Sequence, residues 1–241
     1  MITVIVPYKD ASKYIKQTLE SILSQTFRSF EILCVDNGSI DDSKIIADDI
    51  LQKSDIKFRN LSFPIPGKCL ALNFAIQNCT TDWIAICDAD DLWAPNKLME
   101  QFKLASSDVS IIGTQMSYID DNGALIPGAP TLPVKNNDIV HSVLHKRENA
   151  ICNSSVMYRR SVHTQVVGFY DPLCVVEDYD MWSRCAFAGL RFVNHPDSLV
   201  QHRIHKGSNF NSSQRQALHK NLVDGRNEAW EKIETICRSN S

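Results

Sequence analysis

An apolar run that ends in three carboxylates is the stretch that most constrains the fold of this chain. Residues 83–87 read Trp-Ile-Ala-Ile-Cys, and Asp88, Asp90 and Asp91 follow directly. The run has the composition of a buried strand. Because a buried strand cannot hold unpaired charges, the carboxylates must lie where it leaves the core. In open α/β sheets ligands bind in the crevice at that end of the strands, so the stretch predicts a ligand site.

Carboxylates gathered at one strand end repel one another unless a cation lies among them. Oxygen ligands of this kind suit a hard divalent ion such as Mg2+ or Mn2+, commonly together with phosphate. We therefore interpret residues 88–91 as part of a metal and diphosphate site. The alternative is a solvated acidic turn before a helix that begins near Pro95.

The first hundred residues alternate between strand patterns and helix patterns. This alternation predicts βαβ units, a parallel sheet and right-handed crossovers. Polar clusters follow three of the strands, at Tyr8–Asp10, Asp36–Ser39 and Asp88–Asp91. A parallel sheet places all three at one edge, which favours a ligand site over a solvated turn. The predicted elements are strands at 2–6, 30–35, 57–61 and 83–87, and helices at 12–23, 39–51 and 67–78.

Beyond Pro95 the pattern is less regular. Asp121-Asn122-Gly123 predicts a hairpin turn after a long strand. An amphipathic helix is predicted near the end of the chain, over residues 213–236. The remaining predicted elements are helices at 96–105, 139–144 and 177–187, and strands at 109–119, 152–158 and 199–202.

Composition excludes several classes of protein. The 241 residues fit one large domain. The formal net charge of −3 does not indicate a surface that binds nucleic acid. No apolar run approaches the roughly 20 residues that span a bilayer, and no signal-peptide pattern is present, so we expect a cytoplasmic protein. The eight cysteines form no C-x-x-C pair, which favours reduced thiols over disulfides or a zinc site.

Five short motifs, taken in order, resemble the family 2 inverting glycosyltransferases of the GT-A fold. They are Ile5–Tyr8, Val35–Ser39, Asp88–Trp93, Glu177–Asp178 and Arg203–His205, and the resemblance covers about residues 1–210. It implies an α/β fold with a Rossmann-like mixed, mostly parallel sheet flanked by helices and followed by a C-terminal helix.

The same resemblance implies that different parts of the chain have different functions. Residues 1–95 would form the nucleotide-sugar-binding half, and residues 96–211 the acceptor-binding and catalytic half of the same domain. Residues 212–241 would form a helical tail, which we expect to pack on its own domain, with contact to a membrane or partner as the alternative.

The resemblance implies that the residues at the ends of the first two strands bind the nucleotide. A carboxylate at Asp36 would accept the imide N–H of uracil, which favours a UDP-sugar; the alternative is a turn-forming aspartate before Gly38. Lys68 would offer its ammonium to the base or phosphates at a helix N-terminus, with an ordinary surface lysine as the alternative. The donor-binding residues that the resemblance implies are Pro7, Tyr8, Asp10, Asp36, Lys68, Asn73, Asp88, Ala89, Arg203, Lys206 and Ser208.

For the chemistry, the resemblance implies a metal and a base. Asp90 and His205 would bind Mn2+ or Mg2+, while Arg203 and its neighbours neutralise the leaving diphosphate. Asp178, beside Glu177, would be the general base, in an ionised form that the helix start favours. The alternative is that these carboxylates only stabilise the start of a helix.

Together these features predict a metal-dependent, inverting glycosyltransferase with a nucleotide-sugar donor. The acceptor would be a glycan or lipid-linked saccharide, which brings the cytoplasmic protein to the inner face of a membrane. A sugar-phosphate nucleotidyltransferase is the rival enzyme, but it needs a Gly-rich basic loop where this chain has Pro7–Asp10. A degenerate nucleotide- or glycan-binding module is the other rival, and the intact Asp88, Asp90 and Asp178 argue against it.

Overall fold

The computed structural model describes residues 1–146, 148–174 and 176–207. Helices flank one mixed sheet in this part of the chain. In chain order the elements are β1 (Ile2–Tyr8), α1 (Ile15–Leu23), β2 (Phe30–Asp36), α2 (Ser43–Gln52), β3 (Phe58–Ser62), α3 (Lys68–Gln77), β4 (Trp83–Ile86), β5 (Leu92–Trp93), α4 (Lys97–Leu104), β6 (Val109–Ile119), β7 (Leu125–Ile126), α5 (Asn136–His141), β8 (Met157–Arg159), α6 (Glu177–Phe187) and β9 (Arg191–Arg203).

The first half of the sheet is parallel, as predicted. Strand β1 pairs with β2 and β4, and β2 pairs with β3, all in parallel register. Both faces are covered: Val4 and Val6 pack in one cluster with α1 and α2, while Ile5 packs in another with α3 and α6. Burial on both faces explains why β1 and β2 are apolar at almost every position.

The second half of the sheet is mixed and joins the first without a break. Described strands follow the order β3-β2-β1-β4-β8-β6-β9-β5, with β7 paired to β6. Strand β8 is antiparallel to both β4 and β6, whereas β6 and β9 are parallel. The predicted hairpin at residues 121–123 is confirmed, because β6 and β7 are antiparallel across it. The boundary proposed at residue 95 therefore divides one continuous sheet.

Two predicted strands differ from those observed. The strand expected at 152–158 begins only at Met157, because Asn153–Ser155 forms a 3-10 turn. The strand expected at 199–202 extends over the whole of β9. The pairing with β6 passes from His195 directly to Ser198, and this irregularity accommodates Pro196. The alternation of side chains along β9 is therefore interrupted, which is why the sequence pattern predicted only its last part.

Two predicted helix starts also differ. Helix α1 begins at Ile15 and not at residue 12, and helix α2 begins at Ser43 and not at residue 39. The residues before the two helices bond to each other instead: the Asp10 N–H donates to Ser39 Oγ at 3.1 Å, and the Ser12 N–H donates to Asp41 Oδ2 at 3.0 Å.

Several other expectations concern the chain as a whole. Among the described residues, no helix is both long and apolar enough to span a bilayer. The seven cysteines in the described ranges are free thiols, and all of them are buried or half-buried. Cys237, the predicted helix at 213–236 and the tail from residue 212 lie outside the described residues.

Gly113 of β6 makes room for a buried side chain of the neighbouring strand. A Cβ at this position would lie 2.0 Å from Asn194 Oδ1. Asn194 cannot swing away, because it is buried and its Nδ2 donates to the carbonyls of Pro133 and Ala150 at 2.7 and 2.9 Å. We expect Gly113→Ala to lower the free energy of unfolding by about 2–4 kcal/mol, measured by urea denaturation. An unchanged midpoint would show that Asn194 is free to move.

Candidate active site

A cleft opens at the carboxyl ends of the parallel strands. It encloses a cavity of about 820 Å3. Most residues predicted from the sequence to form a site line this cavity, although they come from distant parts of the chain. They are Pro7, Tyr8, Asp10, Lys68, Asp88, Ala89, Asp90, Glu177, Asp178 and His205.

The loop after β1 forms one wall of the cleft through its backbone. The Tyr8 side chain is buried and its phenol donates to Asn60 Oδ1 at 2.9 Å, so the ring faces away from the cleft. Asp10 has a positive φ of 50° and its Oδ1 accepts a hydrogen bond from the Ile40 N–H at 2.8 Å. The chain thus turns sharply after Tyr8, which leaves Pro7 and Tyr8 accessible from the cavity.

Lys68 joins the acidic groups of the two halves. Its Nζ lies 2.9 Å from Asp88 Oδ1 after β4 and 3.0 Å from Glu177 Oε1 at the start of α6. Burial works against its charge, but Asp88 and Glu177 hold the pKa of Lys68 well above its usual value. Burial likewise disfavours the Asp88 carboxylate, yet the ion pair lowers its pKa. Lys68 is therefore a half-buried bridge across the cleft and not an ordinary surface lysine.

Asp90 and His205 form a second pair in the cleft, with Asp90 Oδ2 and His205 Nε2 3.0 Å apart. Burial, together with the negative charges of Asp91 and Asp88, raises the pKa of Asp90. A carboxylate and an imidazole at this spacing fit a divalent cation, which would also relieve the excess negative charge. Within the described ranges no group of three or more His, Cys, Asp or Glu side chains is arranged to hold a metal ion.

Asp178 presents its carboxylate to the cleft from the first turn of α6. Oδ1 accepts a hydrogen bond from the Tyr179 N–H at 2.8 Å, and Oδ2 accepts one from Asn149 Nδ2 at 2.6 Å. Burial and the adjacent Glu177 raise the pKa of Asp178 to about 6. Lys68 and the hydrogen bonds from the Tyr179 backbone and Asn149 act in the opposite direction and favour the ionised form. The carboxylate is therefore ionised at neutral pH.

Arg203 does not face the cleft. Its side chain is 1% exposed, and it donates from Nε to the Asp90 carbonyl at 2.8 Å. It also donates from Nη1 to the Asp120 carbonyl at 3.1 Å and from Nη2 to Gln17 Oε1 at 2.9 Å. The guanidinium therefore holds the loop after β4, the β6–β7 turn and α1 together, and this arrangement does not support the predicted contact with the diphosphate.

Asn73 also has a different position from the one predicted. Its amide exchanges two hydrogen bonds with the backbone of Tyr170, at 2.8 and 2.9 Å, and it does not line the cavity. The predicted donor contact is therefore corrected. Asn73 fastens α3 to the loop that leads into α6, and this contact positions the ends of both helices at the cleft.

Two further predicted residues among those described do not line the cavity. Asp36 is 7% exposed, and its Oδ1 accepts the Ser39 N–H at 3.0 Å in the turn that was the alternative reading. Its contact with a nucleotide base stays a prediction. Lys206 is exposed and does not line the cavity. Ser208 lies outside the described residues.

Sequence reasoning missed several cleft residues that follow no recognisable motif. Ser154 accepts the Asp88 N–H at 2.9 Å, and it belongs to a polar Asn-Ser-Ser triplet inside an apolar run, which was the available signal. His202 lies 3.0 Å from Asp91 Oδ2; burial opposes its charge, but Asp91 raises its pKa to about 9. The cleft therefore contains an imidazolium.

The fold is that of the GT-A glycosyltransferases, as solved structures show. The mannosyltransferase PcManGT from Pyrobaculum calidifontis, in complex with GDP-Man and Mn2+, matches with a TM-score of 0.72 and 21% identity over 93% of this chain and 63% of its own. TarS from S. aureus, in complex with UDP-GlcNAc, matches with a TM-score of 0.69 and 18% identity over 88% of this chain and 61% of its own. The chain thus spans about three fifths of each of these two solved chains, and 38% of a longer TarS chain.

Sequence relatives identify the family within that fold. The Escherichia coli O-antigen biosynthesis glycosyltransferase WbnJ is 28% identical over 223 residues, which cover 90% of this chain and 84% of the relative. The E. coli UDP-Glc:alpha-D-GlcNAc-diphosphoundecaprenol beta-1,3-glucosyltransferase WfaP is 25% identical over 208 residues, covering 86% and 79%. The sequence model of glycosyl transferase family 2 matches residues 3–167. The chain belongs to this family, which confirms the resemblance found in its motifs.

Proposed function

We propose that this protein is an inverting, metal-dependent glycosyltransferase. It transfers a sugar from a UDP-sugar to a hydroxyl of a saccharide or lipid-linked saccharide. One observation carries the proposal: Lys68 joins Asp88 and Glu177, so the acidic end of β4 and the acidic start of α6 face one cleft. A diphosphate site and a general base are thereby within reach of one sugar.

On the donor side, Asp90 and His205 would hold Mn2+ or Mg2+ against the diphosphate. The ion supplies positive charge to the oxygen that leaves with the nucleotide. His202 also lines the cavity, but its imidazolium is paired with Asp91. Lys68 is committed to two carboxylates, so its contribution is to hold Asp88 in place for the donor.

On the acceptor side, Asp178 is the base and Glu177 supports it. Glu177 is paired with Lys68, whereas Asp178 accepts two neutral hydrogen bonds and keeps lone pairs for an incoming hydroxyl proton. Asp178 removes the hydroxyl proton while the hydroxyl oxygen bonds to the sugar carbon and the bond from that carbon to the diphosphate breaks. This single displacement has no covalent intermediate with the enzyme and inverts the sugar carbon. The catalytic contact is therefore assigned to Asp178.

Donor and acceptor classes follow from the relatives and from the cleft. WfaP uses a UDP-sugar and a diphosphoundecaprenol acceptor according to its name, and TarS was solved with UDP-GlcNAc. In this chain the wall contributed by residues 96–211 includes apolar side chains that suit the faces of a neutral saccharide, among them Met116, Tyr118, Leu132 and Ile151. We therefore keep the division into a donor half at 1–95 and an acceptor half at 96–211.

A panel of nucleotide sugars tests the donor site. We expect UDP-sugars to raise the melting temperature only when Mn2+ is present, since Asp90, His205 and the diphosphate share the ion. At a ligand concentration of about 100 times Kd the stabilisation is about 2.7 kcal/mol. Asp90→Ala should abolish the Mn2+-dependent part, measured by differential scanning fluorimetry.

The matched control is Asp82→Ala, an exposed aspartate just before the opposite end of β4, which should behave as the unsubstituted protein. Stabilisation by UDP-sugars that is equal with and without Mn2+ would contradict the metal site. A stronger response to GDP-mannose than to every UDP-sugar would contradict the donor class.

A further inference from the structure

Asn149 fixes the orientation of the proposed base. The two oxygens of Asp178 each accept one hydrogen bond, from the Tyr179 N–H at 2.8 Å and from Asn149 Nδ2 at 2.6 Å. The first donor belongs to the helix backbone that carries Asp178 itself. Asn149 is separated from it by 29 positions and lines the same cavity. It is therefore the group that holds the carboxylate from outside α6.

The orientation of the Asn149 amide is determined by a second contact. Its Oδ1 accepts a hydrogen bond from the Ile151 N–H at 3.3 Å. Exchanging the amide oxygen and nitrogen would place an oxygen 2.6 Å from Asp178 Oδ2 and a nitrogen against an N–H. Both exchanged contacts are repulsive, so the nitrogen faces the carboxylate.

The main chain around Asn149 is anchored on both sides. Ala150 and Ile151 are each 1% exposed, and the Ala150 carbonyl accepts a hydrogen bond from Asn194 Nδ2 at 2.9 Å. On the other side the Tyr179 phenol donates to the Val143 carbonyl at 2.8 Å, which ties α6 to the segment that precedes Asn149. The donor at Asn149 therefore has a fixed position relative to Asp178.

Other charged or titratable groups of the described chain also act on Asp178. Glu177 repels its charge from the same helix, whereas Lys68 attracts it from α3. The Tyr170 phenol is buried near it and is neutral, because burial raises its pKa. A hydrogen bond donated to the carboxylate favours the ionised form, so Asn149 acts with Lys68 and against burial and Glu177.

From this geometry we propose that Asn149 is a positioning residue that keeps Asp178 oriented and ionised for proton abstraction from the acceptor. The inference rests on the proposed function, in which Asp178 is the base. It adds a residue that contacts the base and that lies outside the five family motifs.

Carbon-13 NMR of the ligand-free protein tests the contact without any substrate. The Asp178 carboxyl signal is assigned by its loss in Asp178→Asn and is then titrated in the unsubstituted protein, in Asn149→Ala and in Asn149→Asp. We expect the titration midpoint to move to higher pH in Asn149→Ala, and further in Asn149→Asp, which keeps the shape but adds a negative charge. Asn137→Ala, an exposed asparagine of α5, is the control and should leave the midpoint unchanged.

Turnover supplies the second readout, with the UDP-sugar that gives the largest melting shift and with UDP release as the signal. In Asn149→Ala we expect the ratio of kcat at pH 6 to kcat at pH 8 to fall by about fivefold. This is the effect of lowering the acid dissociation constant of the Asp178 carboxyl about tenfold. Asn149→Ser, which retains a donor, should recover part of this loss.

The two readouts separate two kinds of failure. An unmoved Asp178 midpoint in both Asn149→Ala and Asn149→Asp would overturn the inference about Asn149. If instead Asp178→Asn kept full turnover, the proposed base would be wrong, whatever the NMR midpoint did. Should Asn149→Ala not fold, the isosteric Asn149→Asp decides the outcome on its own.

Discussion

Asp178→Asn is expected to lower kcat by about 10²–10⁴-fold, the range that a general base contributes. The amide has nearly the shape of the carboxylate but cannot accept the proton of the attacking hydroxyl. Donor binding should be retained, because Asp178 lies on α6, whereas the proposed diphosphate contacts lie at the end of β4 and of β9. The measurement is UDP release under saturating donor, with the Mn2+-dependent melting shift as the check on binding.

The pH dependence of the unsubstituted enzyme tests the role of Asp178 as the base independently of any substitution. The base must be unprotonated, and burial together with Glu177 raises the pKa of Asp178 to about 6. Activity should therefore be present at neutral pH and fall as pH decreases through about 6. A kcat profile between pH 5 and 9 measures it.

A matched control separates catalysis from helix stabilisation. Asp138 lies in the first turn of α5, as Asp178 lies in the first turn of α6, but Asp138 is exposed whereas Asp178 is half-buried. Asp138→Asn should cost only a few tenths of a kcal/mol in stability and leave kcat unchanged. If Asp178→Asn behaved in the same way, the acidic start of α6 would be structural, and Glu177→Gln would be the next variant to examine.

Arg203→Ala is expected to lower the free energy of unfolding by about 3–5 kcal/mol. The substitution removes a buried cation and leaves the carbonyls of Asp90 and Asp120 and the side chain of Gln17 without their donor. For a domain of this size the melting temperature should fall by about 10 °C. Thermal and urea denaturation both measure the effect.

Arg191→Ala is the control at the opposite end of the same strand. Its guanidinium is 58% exposed and pairs with Asp108 on the surface, so its loss should cost less than about 1 kcal/mol. If Arg203 contacted the diphosphate, Arg203→Ala would instead raise the KM for donor and leave the melting temperature nearly unchanged. That result would overturn the structural assignment.

Much of the fold was predictable because it depends on short-range patterns. The apolar strands at the start of the chain and the helices between them left a parallel arrangement as the consistent solution. Once the strands are parallel, the residues after β1, β2 and β4 must meet at one edge. This is why Asp88 and Asp90 were identified as site residues, and the ordered motifs added Asp178 and His205 from the second half.

The mixed half of the sheet was harder to predict. Strand β8 is only three residues long, and an irregular pairing around Pro196 interrupts the pattern of β9. Neither segment has a periodicity long enough to distinguish it from loop. No sequence pattern marked Asn149 as a site residue. The local sequence around a single asparagine outside regular secondary structure does not indicate whether its side chain faces solvent or a carboxylate.

The amino-acid sequence by itself determined the order of the elements, the edge at which the polar clusters gather and the identity of the acidic groups there. The tertiary structure alone decided which way each charged side chain faces and how strongly it is desolvated. Arg203 has the sequence context of a phosphate ligand, but its side chain is buried and holds three segments together, and burial together with Glu177 raises the pKa of Asp178. Both differences have one physical reason: the direction and burial of a side chain depend on neighbours distant in the chain, which local patterns do not contain.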